Sequence, residues 1–137
     1  MAKVVPYQGK WNTVWVPKAA STTITAWTFA TPDGSGAYIP ATASSATVAG
    51  IFKKTEASSD ATNSLTPMAV PAEEGATFKA SIGTGTGATS IVGLYRDLKD
   101  ADELDVNAST TDIWFYQAFV STTVAIGRIN KLSGRAV

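Results

Sequence analysis

Ser90 to Asn130 reads SIVGLYRDLKDADELDVNASTTDIWFYQAFVSTTVAIGRIN. Two apolar runs suited to strands, Ile91 to Tyr95 and Asp112 to Val120, flank a short acidic and polar connection. A third run, Thr123 to Ile129, follows a Ser-Thr-Thr turn. From Ile113 to Val120 both faces are apolar, with Ile113, Phe115 and Phe119 on one and Trp114, Tyr116, Ala118 and Val120 on the other. Such a strand predicts burial on both sides, within a closed barrel or packed sandwich or at a subunit interface. Between the runs, Arg96 to Asp105 spaces Leu98, Ala101 and Leu104 as a helix would, which predicts one or two helical turns.

Upstream the same grammar of short strands and turns continues. Met1 to Gln8 reads as an irregular arm, because Pro6 follows the Val4 and Val5 pair and Gly9 comes soon after. Asn12 to Val16 alternates, with Trp11, Thr13 and Trp15 on one face and Val14 and Val16 on the other, until Pro17. Thr22 to Ala30 is a β-branched run with Trp27 and Phe29 opposite Ile24 and Ala26. Thr31-Pro32-Asp33-Gly34 is a turn, and Ala37 to Ile39 a short strand. Thr47 to Lys53 is a strand followed by a polar loop from Glu56 to Ser64. Leu65 to Val70 and Thr77 to Ile82 read as a hairpin joined by Pro71-Ala72-Glu73-Glu74-Gly75. In its second arm Phe78, Ala80 and Ile82 alternate with polar neighbours. The expected fold is all-β: one antiparallel β-barrel or β-sandwich domain with an extended N-terminal arm and one short helical turn. The arm and first strand take residues 1–18 and the barrel or sandwich takes 19–137.

Composition narrows the function. The chain has 137 residues, 45% of them hydrophobic and only 16% charged, with a formal net charge of +0. That charge content falls below the roughly 25% usual for soluble domains. Little repulsion separates its copies, so association through shape and apolar contact is expected. There is no cysteine and no histidine. Disulfides, thiolate nucleophiles, Cys-ligated metals and Ser-His-Asp or Cys-His arrangements are thereby excluded. No catalytic residue, cofactor or metal is expected, and the chain reads as a non-enzyme. Met1 to Lys10 carries no signal-peptide pattern, and no apolar run approaches the roughly 18 residues of a spanning helix. Synthesis in a cytoplasm, with no membrane partner, is the expectation.

Several motifs have plainer readings. Gly83-Thr84-Gly85-Thr86-Gly87-Ala88 matches a relaxed dinucleotide pattern, but β-rich sequence follows where a phosphate-binding helix is required. Asp97, Asp100, Asp102, Glu103 and Asp105 offer oxygen ligands, yet lack EF-hand spacing and alternate with Arg96 and Lys99, as on a solvated turn. Lys53 with Lys54, and Arg128 with Lys131 and Arg135, are too sparse for a direct nucleic-acid contact. Trp11, Trp15, Trp27 and Trp114 with Tyr7, Tyr38, Tyr95 and Tyr116 are enough for a sugar-stacking platform, although core packing uses the same residues.

Val92-Gly93-Leu94-Tyr95-Arg96-Asp97-Leu98, then Asp105-Val106-Asn107-Ala108-Ser109-Thr110-Thr111-Asp112, lead into a strand ending Val124-Ala125-Ile126-Gly127-Arg128-Ile129-Asn130. With Val48-Ala49-Gly50-Ile51 and Ala69-Val70-Pro71, this pattern resembles the small decoration or cement proteins of tailed-phage capsids over about Val48 to Lys131. The first 45 residues have no counterpart in it. The resemblance implies a structural virion protein, made in the host cytoplasm, that sits on the outer capsid surface. It would bind the major capsid protein, form a homo-oligomer with a trimer favoured, and brace the shell. Val4, Tyr7, Trp11, Trp15, Trp114 and Tyr116 are the expected capsid or subunit contacts. The alternative is a head or tail fibre or neck component whose β-domain binds carbohydrate.

Overall fold

A computed structural model describes residues 3–58 and 64–132 of the chain. Its strands are β1 (Val4–Gln8), β2 (Trp11–Pro17), β3 (Phe29–Pro32), β4 (Tyr38–Pro40), β5 (Gly50–Phe52), β6 (Leu65–Pro71), β7 (Thr77–Thr84), β8 (Tyr95–Leu98), β9 (Glu103–Asp105), β10 (Trp114–Phe119) and β11 (Val124–Ile129). A single 3-10 turn, Thr89–Ile91, is the one helical element among the described residues. The all-β expectation holds: a closed five-stranded barrel stands beside a second sheet.

The barrel runs β7–β11–β10–β8–β9 and closes because β9 pairs in parallel with β7, Ser81 opposite Glu103 and Ile82 opposite Leu104. Closure removes the open edges that would template aggregation. Strand β7 is long enough for β1 and β9 to share one of its edges end to end: Val4 faces Ala80, and the Ser81 N–H donates to Lys3 O at 2.9 Å just before β9 begins. The second sheet has the order β2–β6–β5–β3–β4.

The two sheets are joined by one bent ribbon. β1 continues into β2 through Gly9-Lys10, β6 continues into β7 through residues 72–76, and the two long strands pair with each other on both sides of the corner. Gly9 makes the corner possible. Its φ is +83°, and a Cβ there would lie 2.7 Å from the Ala76 Cα. The expected hairpin between Leu65–Val70 and Thr77–Ile82 is therefore corrected: β6 and β7 lie in different sheets, paired with β2 and β1 respectively.

Period-two burial builds the core. In the second sheet Phe29, Ile51 and Ala69 join Phe78, Trp114, Tyr116, Leu98 and Leu104 of the barrel in one cluster. Their neighbours Ala30, Phe52 and Met68 point the other way, onto Val16 and Ile24. Aromatic contacts run from Phe29 to Phe78 (5.2 Å between centroids), from Phe78 to Trp114 (5.9 Å) and from Trp114 to Tyr116 (5.5 Å). Gly127 on β11 gives Trp114 its space, since a Cβ there would overlap the indole ring and the Phe115 carbonyl.

Five further expectations are corrected in whole or in part. Arg96 to Asp105 is not helical: Leu98 and Leu104 face each other as partners of β8 and β9, and both are buried in the barrel. Ile91 to Tyr95 is not a strand, because Gly93 at φ +90° breaks it and leaves Val92 and Leu94 exposed. Thr22 to Ala30 is interrupted by Trp27 at φ +64°, so only Phe29 onward pairs as β3. The arm is not irregular over Val4–Gln8, which forms β1 with Val4 fully buried. The run from Ile113 to Val120 is buried on both faces only at its start, since Phe119 and Val120 are exposed beyond the bulge between Tyr116 and Ala118. The predicted loop from Glu56 to Ser64 lies partly outside the described residues, as do Met1, Ala2 and Arg135.

Candidate contact surface

The six expected contact residues divide by burial. Val4, Trp114 and Tyr116 are fully enclosed within this one chain, so they have no surface to offer a partner, and the expectation is corrected for all three. They are apolar or aromatic groups on the inward phase of strands β1 and β10. Trp11 is half-buried: it packs against the core and its indole N–H donates to Thr77 O at 3.2 Å, bracing the ribbon's corner. Tyr7 and Trp15 are exposed, at 46% and 59%. The Lys79 ammonium lies 4.9 Å above the Tyr7 ring.

Trp15 is the more informative of the two. It sits on β2 opposite Pro67, with Pro17 opposite the exposed Leu65 on the same face, while Val14, also exposed, lies on the other face. Strand β2 pairs only with β6 among the described residues, so its outer edge is unpaired over Trp11–Pro17, up to Lys18, which bridges in parallel to Tyr38 of β4. A half-open strand with an outward Trp and Leu is an apolar surface fringed by unused backbone hydrogen-bonding groups. One cation reaches it, where Lys53 Nζ donates to Thr13 Oγ1 at 2.8 Å.

Members of the acidic group have partners within the fold. Asp97 is buried and its Oδ1 accepts the backbone N–H groups of Thr110, Thr111 and Asp112 at 3.0, 2.9 and 2.8 Å. Burial pushes its carboxyl pKa up, but these three N–H groups outweigh that and hold it below the ordinary range. Asp100, Asp102 and Glu103 bring carboxylate oxygens within 4.8 Å of one another where β1 meets β9. Lys3 lies 3.7 Å from both Asp102 and Glu103, and Lys99 lies 3.8 Å from Glu103, so cations of the chain already face the cluster. Burial and the adjoining Asp100 raise Asp102, while its hydrogen bonds with Asp102 keep Asp100 low against the pull of burial. In the Gly83–Ala88 segment, Gly85 takes φ +87° and a short 3-10 turn follows. No helix is present there to hold a pyrophosphate.

A second feature was dispersed in the sequence. Tyr95, Phe115 and Arg128 are cross-strand partners on β8, β10 and β11 and form a row on the outer barrel wall. The Tyr95 and Phe115 rings lie 5.3 Å apart, and the Arg128 guanidinium lies 4.9 Å over Phe115. The row floors a cleft of about 520 Å³ whose other walls are the Pro71–Ala76 corner and Lys131 with Leu132. Phase alone hints at it, since Phe115 occupies the face opposite the buried Trp114 and Tyr116.

No family model, no curated protein and no solved structure matches this chain.

Proposed function

We propose that this chain is a structural virion protein that binds the outer surface of a tailed-phage capsid shell, with the exposed β2 surface around Trp15 as its contact. The observation that carries the reading is a 59% exposed Trp on a free-edged strand in a chain whose net charge is +0. Large aromatics held outward are the residues that dominate protein interfaces. Weak contacts of this kind gain strength when copies repeat over a symmetric shell, particularly if the protein is itself a homo-oligomer. The resemblance of the Val92–Asp112 pattern to capsid decoration proteins supports the same reading. So does the engagement of Asp97, Asp102 and Glu103 within the fold, which leaves those carboxylates a structural role. The partner is the major capsid protein and the activity is mechanical support, without turnover.

The test is attachment of Trp15→Ala to purified heads stripped of this protein. Half-saturation should rise by about tenfold or more, as for an interface aromatic, with no change in the unfolding midpoint of the free chain. Unaltered attachment would remove β2 from the interface.

A further inference from the structure

We propose that the cleft on the outer barrel wall is a saccharide-binding site, with the exposed Tyr95 ring as its stacking face, Phe115 packed between Tyr95 and Arg128 beside it, and Glu74, Arg128, Asn130 and Lys131 as its hydrogen-bonding rim. This inference stands independently of the capsid reading and uses a different face of the molecule.

The floor has the dimensions of a sugar subsite. Three adjacent strands contribute one side chain each, so the row from Tyr95 through Phe115 to Arg128 extends over two strand spacings, about 10 Å. The aromatic part of the row, 5.3 Å between ring centroids, suits a single pyranose ring, and the cleft volume of about 520 Å³ falls within the roughly 300–1,000 Å³ of small-molecule sites. Tyr95 is 44% exposed on this floor rather than packed inward. A pyranose offers a patch of C–H groups to an aromatic face, while its hydroxyls project around the ring and need donors and acceptors alike.

The rim supplies both. Arg128 and Lys131 are donors, Glu74 is an acceptor, and Asn130, whose Nδ2 donates to Asp112 O at 2.9 Å, keeps its side-chain carbonyl for a ligand. Glu73 is already committed through Oε1 to the Lys10 N–H at 3.0 Å. Among the described residues Glu74, Arg128 and Lys131 form no ion pair, although all three line the same cleft. This mixture selects the ligand class. An isolated anion would face Glu73 and Glu74, an isolated cation would face Arg128 and Lys131, and an apolar segment would desolvate all four charges. A neutral polyhydroxyl ring satisfies them together.

The full chain titrated with chitotriose, maltotriose and cellotriose, each to about 10 mM, is followed by amide chemical shifts. At least one trisaccharide should shift the amides of Tyr95, Phe115 and Arg128 saturably. Tyr95→Ala should weaken that binding by about threefold to tenfold, and Glu74→Gln, at the exposed corner, should weaken it as well with the fold's spectrum retained. Absence of saturable shifts with all three sugars, shifts confined to another face, or unchanged affinity in both variants would overturn the proposal.

Discussion

The Asp97 carboxylate accepts the backbone N–H of Asp112 at 2.8 Å, joining two residues fifteen positions apart. Asp112 sits at φ +54°, the Ser109 hydroxyl donates to its Oδ1 at 2.6 Å, and β10 begins two residues later. One buried carboxylate thus sets the turn that delivers Trp114 to the barrel interior. Asp97, Ser109 and Asp112 are the parts of this clamp.

Asp97→Ala leaves three inward-facing N–H groups without their acceptor. Hydrogen bonds to charged groups are worth about 1.5–3 kcal/mol each, and partial rehydration tempers their sum, so a loss of about 3 kcal/mol is expected. Urea denaturation checks it, as a lower midpoint at unchanged slope.

The clamp also has an acid signature. Asp97 has a folded pKa below its unfolded value, near 3.8, so its stabilisation is complete above that value and is lost as pH falls through the folded one. The stability gap between wild type and Asp97→Asn should stay constant over about pH 5–8 and narrow below about pH 4. A gap independent of pH down to acid unfolding would refute the clamp's charge.

Tyr116 predicts the opposite limb. Burial raises its phenol pKa; the Ala88 backbone lies near enough to counter part of this, yet the hydroxyl makes no hydrogen bond of good geometry. Its folded value exceeds the unfolded 10.0, so the stabilisation of the neutral phenol is present below pH 10.0 and is lost as pH rises through the folded value. Tyr116→Phe should be neutral or stabilising by up to about 1 kcal/mol at pH 7 and should blunt the alkaline loss. Thermal melts across the alkaline range measure both.

Gly127→Ala places a methyl where the Trp114 ring and Phe115 carbonyl already sit. Backbone on one side and a fully buried indole on the other leave little room to yield, so a cost of about 2–3 kcal/mol is expected. Trp114→Ala, which empties the centre of the aromatic chain, should cost about 3–5 kcal/mol. Equilibrium unfolding of the two variants decides whether barrel packing is as tight as the geometry requires.

Strand class was legible because period-two alternation is local: Phe78, Ala80 and Ile82 announce the inner face of β7 directly. Pairing was not. A five-residue connector between extended segments looks alike whether its arms pair with each other or each pairs elsewhere, and the β6–β7 corner is of the second kind. Leu98 and Leu104 mimic a helical repeat because a tight hairpin also brings residues six apart into register. Trp114 and Trp15 are indistinguishable as letters, and only closure of the barrel makes one core and the other surface. The cleft draws on residues from Thr47 to Leu132, so no local window contains it.

The central claim, attachment to the outside of a capsid in many copies, is tested most directly by counting this chain against the major capsid protein in purified phage particles that encode it, using quantitative mass spectrometry. The account predicts a fixed simple fraction of copies per capsid subunit. A handful of copies per particle, or none, would contradict it.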